Sequence, residues 1–418
     1  MKNERTGRKF RRLLIALGIG ILLAAVCAGT AGAEEARNIA AECSYRFQRG
    51  SYRNVQEMYD GTYNHFWESS KTRDPWLEVT LPEGELCYGV QIKWAVASGR
   101  WFIGVEQDGE WVRAAEADGA YLTTWSALPG AAKFRVASSF NYPNCMKILE
   151  IEVYTDGEIP AAVQRWEPTV EKADLLMVVA HPDDEYVFLG ALIPYYGAEN
   201  GKKVLVCYIT ESEMCRRTEL LDGLWTAGQR TYPLIGKFYD RYTMDLATAY
   251  KKVGKKKVRE YMIEVFRHYR PDVVVTHDIH GEYGHGLHKL CADIVINALD
   301  KSGDSNVCRE SAKEYGTWEV PKCYIHLYGE EKDQVRFDWK GTKLEAFGGK
   351  SAWQVADEAF RCHVSQYSKG KYEVYTDGPY DSQVFGLYRS TVGEDREHSD
   401  FFENIPGAEG SPADPVDE

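Results

Sequence analysis

The feature that most restricts what this chain can fold into is a change of hydrophobic period partway along it. From Arg37 to about Tyr154, apolar and polar residues alternate in short runs such as Leu77–Leu81, Tyr88–Trp94, Phe102–Val105, Lys133–Val136 and Ile148–Val153. Turn residues interrupt them about every ten positions. Period-two alternation broken this often predicts an all-β sandwich, each strand presenting one face to the core. Beyond about residue 171 the apolar runs become continuous, at Asp174–Ala180, Val204–Thr210 and Asp272–Thr276, with helical stretches near Arg216–Pro233 and Val258–Tyr269 between them. Strands that are apolar on both sides and alternate with helices predict a parallel sheet covered on both faces, an α/β Rossmann-like domain.

A length of 418 residues suits this two-domain reading with additional segments at the ends. Residues 1–33 read as a signal peptide: six basic side chains precede an apolar stretch from Leu13 to Val26, and Ala31-Gly32-Ala33 offers a cleavage site. That stretch is short for a transmembrane helix. The expected location is therefore extracellular or at the cell surface, with no transmembrane domain in the mature chain. The predicted divisions are a β-sandwich over 34–155, a linker over 156–170, an α/β domain over 171–393 and an acidic disordered tail over 394–418. Formal net charge is −13 and the basic run Lys251–Lys257 is short, which argues against nucleic acid as a partner. Ten cysteines occur without CxxC spacing, so a cysteine zinc cluster is not expected, and buried thiols are the simpler reading.

Chemistry concentrates at two strand ends. His181, Asp183, Asp184 and Glu185 follow the first continuous strand within a few residues, and HDIHGEYGHGLH (His277–His288) follows the third. Carboxylates alone in a first helical turn would suit the helix dipole. Four of the ten histidines inside twelve residues of another strand exit point instead to a metal. In parallel sheets, ligands bind beyond the carboxyl ends of the strands, where both loops fall. His285 and His288 are three apart at a helix start, so they share a face. A histidine and a carboxylate from one loop with a histidine from the other leave an open position for water, as hydrolytic zinc sites require.

AHPDDE (Ala180–Glu185), with RRTEL (Arg216–Leu220), HVSQ (His363–Gln366) and FGLYRS (Phe385–Ser390), resembles the LmbE-like, or PIG-L, family of zinc-dependent N-deacetylases over about 171–393. The resemblance implies one zinc ion held by His181, Asp184 and His288. It implies Asp183 as the general base taking a proton from the metal's water, and His285 as the partner of the amide oxyanion. Arg216, Tyr283 and Glu282 become candidate substrate contacts. Many relatives carry an Asp where this chain has Leu287; Glu282, His277 or Asp278 would then orient the first histidine, Glu282 being favoured. The loop before Arg216 also lacks the family's usual glycine-rich run. In the first half, MYDGTYNHFWES (Met58–Ser69), PWLEVTL (Pro75–Leu81), DGEW (Asp108–Trp111) and ILEIEVY (Ile148–Tyr154) resemble the discoidin, or coagulation-factor type C, family. That implies a galactose-binding-like jelly roll whose end loops contact glycan, or else a packing module.

Together these readings predict an exported deacetylase of N-acetylglucosamine-type sugars or glycoconjugates. The alternative is an exported carbohydrate-binding or adhesion protein with a weakened hydrolase domain, and Leu287 is what keeps it open. A hydrolase of non-sugar amides would share the site but not the pocket.

Overall fold

The computed structural model describes residues 34–407 apart from positions 53, 72, 73, 98, 118, 139–144 and 212. The expected signal peptide therefore lies outside the described residues. The first half is a sandwich of two antiparallel sheets. One has the order β1-β3-β8-β5-β6 and the other β2-β9-β4-β7. The strands are β1 Ser44–Phe47, β2 Trp67–Glu68, β3 Trp76–Thr80, β4 Cys87–Trp94, β5 Trp101–Gln107, β6 Glu110–Ala117, β7 Thr123–Ala131, β8 Lys133–Ser138 and β9 Lys147–Tyr154. The alternation has its predicted effect: Ile103, Val105, Phe134, Val136, Ile151 and Val153 all point into one core. Trp67, Trp94 and Trp101 are buried in that core, so these aromatics are packing residues, whereas Trp111 stands 38% exposed.

The second half is built on a seven-stranded sheet of order β12-β11-β10-β13-β14-β18-β15. Its strands are β10 Leu175–Val179, β11 Val204–Glu211, β12 Leu234–Tyr239, β13 Val273–Thr276, β14 Lys322–His326, β15 Gln334–Arg336 and β18 Val384–Ser390; a small hairpin, β16 Lys343–Leu344 and β17 Lys350–Ser351, lies outside it. β10 to β14 pair in parallel, and β18 runs antiparallel to β14 and β15. The helices are α1 Asp184–Val187, α2 Met214–Thr226, α3 Leu246–Val253, α4 Lys255–Tyr269, α5 Gly286–Lys301, α6 Arg309–Tyr315, α7 Ala352–Arg361 and α8 Val364–Tyr367. β10 shows why its run is apolar throughout. Leu175, Met177 and Val179 pack in one core with residues of α1, α2 and α7, while Leu176 and Val178 pack in the other with residues of α3, α4 and α5. The lysine run straddles the joint between α3 and α4, where Gly254 takes φ 87°.

β10 is central, with β11 on one side and β13 on the other. The chain reverses its direction of winding there, which opens a crevice at the carboxyl ends of these strands.

Two sequence expectations need correction. The stretch from 394 is not a disordered tail over its whole length. Phe401, Phe402 and Ile405 are buried in the core of the second half, and Lys322 Nζ, also buried, lies 2.5 Å from Asp395 Oδ1. Only 408–418 lie outside the described residues. The stretch 156–170 is also no free connector: Val163 and Gln164 are buried, and Glu167 N donates to Arg230 O at 2.9 Å. All nine described cysteines are free. No helix among the described residues is long and apolar enough to cross a membrane.

Candidate metal centre and cleft

The two chemical loops leave neighbouring strands. Val178 of β10 pairs with Thr276 of β13, so Ala180 and His277 emerge side by side, and Ala180 N donates to His277 Nε2 at 3.1 Å. The turn after β10 is tight. Asp183 adopts φ 112°, unusual for a residue with a side chain, and its N–H donates to Glu185 Oε2 at 2.8 Å. Glu185 is wholly buried, with His363 Nε2 3.0 Å from its other oxygen. The three carboxylates of the motif thus go three ways. Glu185 braces the turn, Asp184 faces the histidines, and Asp183 faces the cleft.

Asp184 accepts from His181 N at 2.7 Å, and His181 Nδ1 lies 3.1 Å from the same oxygen. His288 Nε2 lies 3.4 Å from its other oxygen. Burial works against the Asp184 charge, but His288, His181 and His277 hold its carboxyl well below the ordinary value. For His181 burial likewise disfavours the cation, and Asp184 and Asp240 overcome it, raising the ring to about 9. His285 goes the other way. Burial first, then the neighbouring His288 and His181, push it down to about 3, so it is a neutral imidazole at neutral pH. Asp183 is raised to about 6 by burial, against the pull of Arg216.

Behind the histidines sits Glu282, 1% exposed. Its Oε2 is 2.8 Å from His277 Nδ1 and 2.7 Å from His288 Nδ1, and its Oε1 is 2.7 Å from His326 Nδ1. Despite burial, these imidazoles hold it well below the usual carboxylate range. The expectation that Glu282 contacts substrate is therefore corrected. It is enclosed by protein and does not line the cleft, and its carboxylate holds His277, His288 and His326 rather than His285, the histidine that an Asp at Leu287 was expected to orient. Leu287 itself is buried in the apolar core against α3 and α4. Asp278 makes no such contact with the rings; its carboxylate accepts from His280 N in its own turn.

Two overlapping groups bring ligand atoms within 4.8 Å of one another: His181–His285–His288 and Asp184–His277–His288. Both nitrogens of His277 are committed, one to Ala180 N and one to Glu282. His288 differs: its Nδ1 is held by Glu282, while its Nε2 is buried without a hydrogen-bond partner and faces Asp184. A buried nitrogen left unpaired beside a buried carboxylate costs free energy that coordination would recover. The expected donors His181, Asp184 and His288 are divided between these two groups, which share His288, and together the groups offer the nitrogen and oxygen donors that suit a divalent cation of the zinc type.

The cluster borders a cavity of about 280 Å³, lined by His181, Asp183, Asp184, Arg216, Asp240, Tyr242, Tyr283, His285, Gln366 and Tyr372 among others. Arg216, in the first turn of α2, donates to Pro182 O and to Asp183 Oδ1, the latter at 3.0 Å. Tyr283 has φ 46° and its ring centre lies 5.5 Å from that of His285. His280, the remaining histidine of the motif, is exposed and takes no part. Sequence reasoning missed Asp240, 3.5 Å from His181 Nε2, and Tyr242, whose ring lies 5.2 Å from His285. Asp240 follows β12 directly, so the strand-end rule could have found it.

A crevice at the strand reversal of a parallel sheet, carrying an unsaturated His/Asp cluster and a facing carboxylate, is the arrangement of a metal-assisted hydrolase. Residues 176–299 match the PIG-L family, described as GlcNAc-PI de-N-acetylase, and form a PIG-L domain. Relatives include 1D-myo-inositol 2-acetamido-2-deoxy-alpha-D-glucopyranoside deacetylase 2 of Saccharopolyspora erythraea, 29% identical over 36% of this chain and 63% of that protein. The deacetylase of the same description from Geodermatophilus obscurus is 26% identical over 56% of this chain and 98% of that one. The chain thus spans under two thirds of the length of the first relative. Among solved structures, a conserved protein from Thermus thermophilus overlaps 47% of this chain and 81% of its own, at 19% identity and a TM-score of 0.33. A module from Clostridium perfringens, CpGH89CBM32-6, overlaps 29% of this chain and the whole of its own, at 17% identity and a TM-score of 0.25.

Proposed function

We propose that this chain is an exported zinc-dependent N-deacetylase that removes an acetyl or related acyl group from the nitrogen of an N-acetylglucosamine-type sugar. The observation that carries the reading is the free Nε2 of His288 beside Asp184 and His181, with Asp183 at the same cavity. The described activity of the deacetylase relatives supports the substrate class.

His181, Asp184 and His288 would hold the cation, with Glu282 fixing the His288 ring. A bound zinc ion supplies Lewis-acid polarisation and makes a water easier to deprotonate near neutral pH. Asp183 is the general base. It is not needed as a ligand, it borders the cavity, and burial has moved its carboxyl towards the working range of a base. Arg216 holds Asp183 by its Oδ1 and leaves its other oxygen for proton transfer. His285 is buried and neutral, with Nδ1 unpartnered. It is therefore suited to donate a hydrogen bond to an oxyanion, worth about 3–4 kcal/mol of barrier. Tyr283 and Arg216 remain the proposed substrate contacts, now joined by Asp240 and Tyr242.

The test is acetate release from N-acetylglucosamine and its oligomers by the purified chain, with zinc added and with a chelator. Zinc-restored release supports the proposal. A zinc-loaded protein that releases no acyl group from any N-acyl sugar defeats it. Export is tested by the N-terminal sequence of the protein recovered outside the cell, expected to start near residue 34.

A further inference from the structure

The sequence divides the chain into a catalytic half and an accessory half, but the accessory half grips the catalytic one at a chosen place. Asp222 lies on α2, the helix whose first turn carries Arg216. Its Oδ1 is 2.8 Å from Lys93 Nζ and 2.5 Å from Gln164 Nε2, and its Oδ2 accepts from Tyr63 Oη at 2.6 Å. Lys93 lies on β4 of the sandwich and Tyr63 in the segment before β2; Gln164 belongs to the connecting stretch. No donor to this carboxylate among the described residues comes from the catalytic half. Lys93 is only 7% exposed, and its Nζ also lies 2.5 Å from Tyr63 Oη, over that ring. Gln164 N donates in turn to Gln91 Oε1 of β4 at 2.6 Å. One turn nearer the cleft, Arg217 donates to Ala95 O of the sandwich at 3.0 Å.

Other residues of α2 serve the cleft. Arg216 holds Asp183 and Pro182, and Glu219 accepts from Ser365 N at 2.8 Å and Ser365 Oγ at 2.6 Å, next to the cleft residue Gln366. Gly223 lets the helix lie close to α7: a Cβ there would come within 3.0 Å of Ala359 O and 3.1 Å of His363 Nε2. Asp222 and Arg216 are six residues apart, about 9 Å along a helix axis. A rigid helix transmits a displacement at one to the other. Reaction rates are sensitive to such displacements, about 100-fold for 1 Å at a catalytic group.

We propose that Lys93 and Tyr63 of the β-sandwich are positioning residues for the catalytic half, acting through Asp222 and α2 to set Arg216 against Asp183. The sandwich is then a part of the active site's framework, whatever else it binds. This rests on the deacetylase reading for its kinetic readout only.

The test uses the full chain with Lys93→Met, Lys93→Arg and Tyr63→Phe. Lys93→Met is expected to keep full zinc occupancy and to lower kcat per zinc at least tenfold, measured well below its melting temperature, with KM changed less than threefold. Amide hydrogen exchange in 214–220 should quicken at least tenfold while β10 and α5 stay as they were. Lys93→Arg should restore at least half of kcat. Tyr63→Phe, which removes one hydroxyl, should lower kcat two- to fivefold, and it decides the matter if Lys93→Met does not fold. A lower melting temperature with unchanged kcat per zinc and unchanged exchange in α2 overturns the proposal. If the native chain releases no acetate at all, the deacetylase reading fails, and the exchange measurement alone still decides the clamp.

Discussion

At the scale of single residues, the site separates groups that sequence places side by side. Asp183 and Asp184 are neighbours, yet one is surrounded by imidazoles and the other by a guanidinium and the cavity. His288→Ala removes the free nitrogen and should cost most of the bound zinc, read by metal analysis of folded protein. Asp183→Asn should keep zinc and lose about 100-fold or more in kcat. Loss of metal with near-normal activity per zinc would exchange the roles of the two aspartates. Glu282→Gln should weaken zinc affinity about 10- to 100-fold, because it no longer fixes the His288 tautomer; an unchanged zinc dissociation constant would remove Glu282 from the site. The histidines and aspartates were legible because their chemistry is written in their types and spacing. The partner of His288 was only half legible. A carboxylate six residues away reaches the ring because Gly281, Tyr283 and Gly284 all take positive φ, folding the loop back, and sequence does not display such a path.

At the scale of elements, continuous apolar runs located β10, β11 and β13 because a strand buried on both faces has no polar positions to confuse the pattern. The outer elements were harder. β12 carries Gly236 at a point where a Cβ would lie 2.1 Å from Ile209 O, so the backbones of β12 and β11 approach closely there, and the loop that follows places Asp240 3.5 Å from His181 Nε2. Gly236→Ala should therefore act on both stability and site. We expect a loss of about 1–3 kcal/mol in denaturant unfolding together with a lowered kcat/KM. A stable variant with native kinetics would show that the loop is set independently of the strand. The stretch after 394 misled for a compositional reason: its acidic, proline- and glycine-bearing average conceals Phe401, Phe402 and Ile405, which pack beside Tyr196 and Tyr324.

At the scale of the whole molecule, the chain is closed by that last stretch. Lys322, wholly buried, is neutralised by Asp395 and donates to Glu403 O at 2.9 Å, while Tyr324 Oη lies 2.5 Å from Asp395 Oδ2. A chain ended after Glu394 would leave that ammonium buried without its carboxylate, at about 3–5 kcal/mol, besides uncovering Tyr196 and Tyr324, against which the deleted Phe402 and Phe401 pack. It should be recovered as insoluble or protease-sensitive protein. Full solubility of the shorter form would mean that Lys322 finds another partner.

The placement of β18 adds a statement about order in time. β18 lies between β14 and β15, and residues 395–405 then cross back to the start of β14. β15 therefore has no partner until some fifty later residues have been synthesised, and Lys322 none until later still. Domains commonly fold as they leave the ribosome, from the N-terminal side first. Here the sandwich can complete itself early, but the second half stays open until almost the whole described chain has emerged. A polypeptide kept loose in this way assembles its site only when synthesis is nearly complete. Ribosome-tethered chains ending near 394 should then be cut rapidly by protease within 171–393 yet resist it within 34–155.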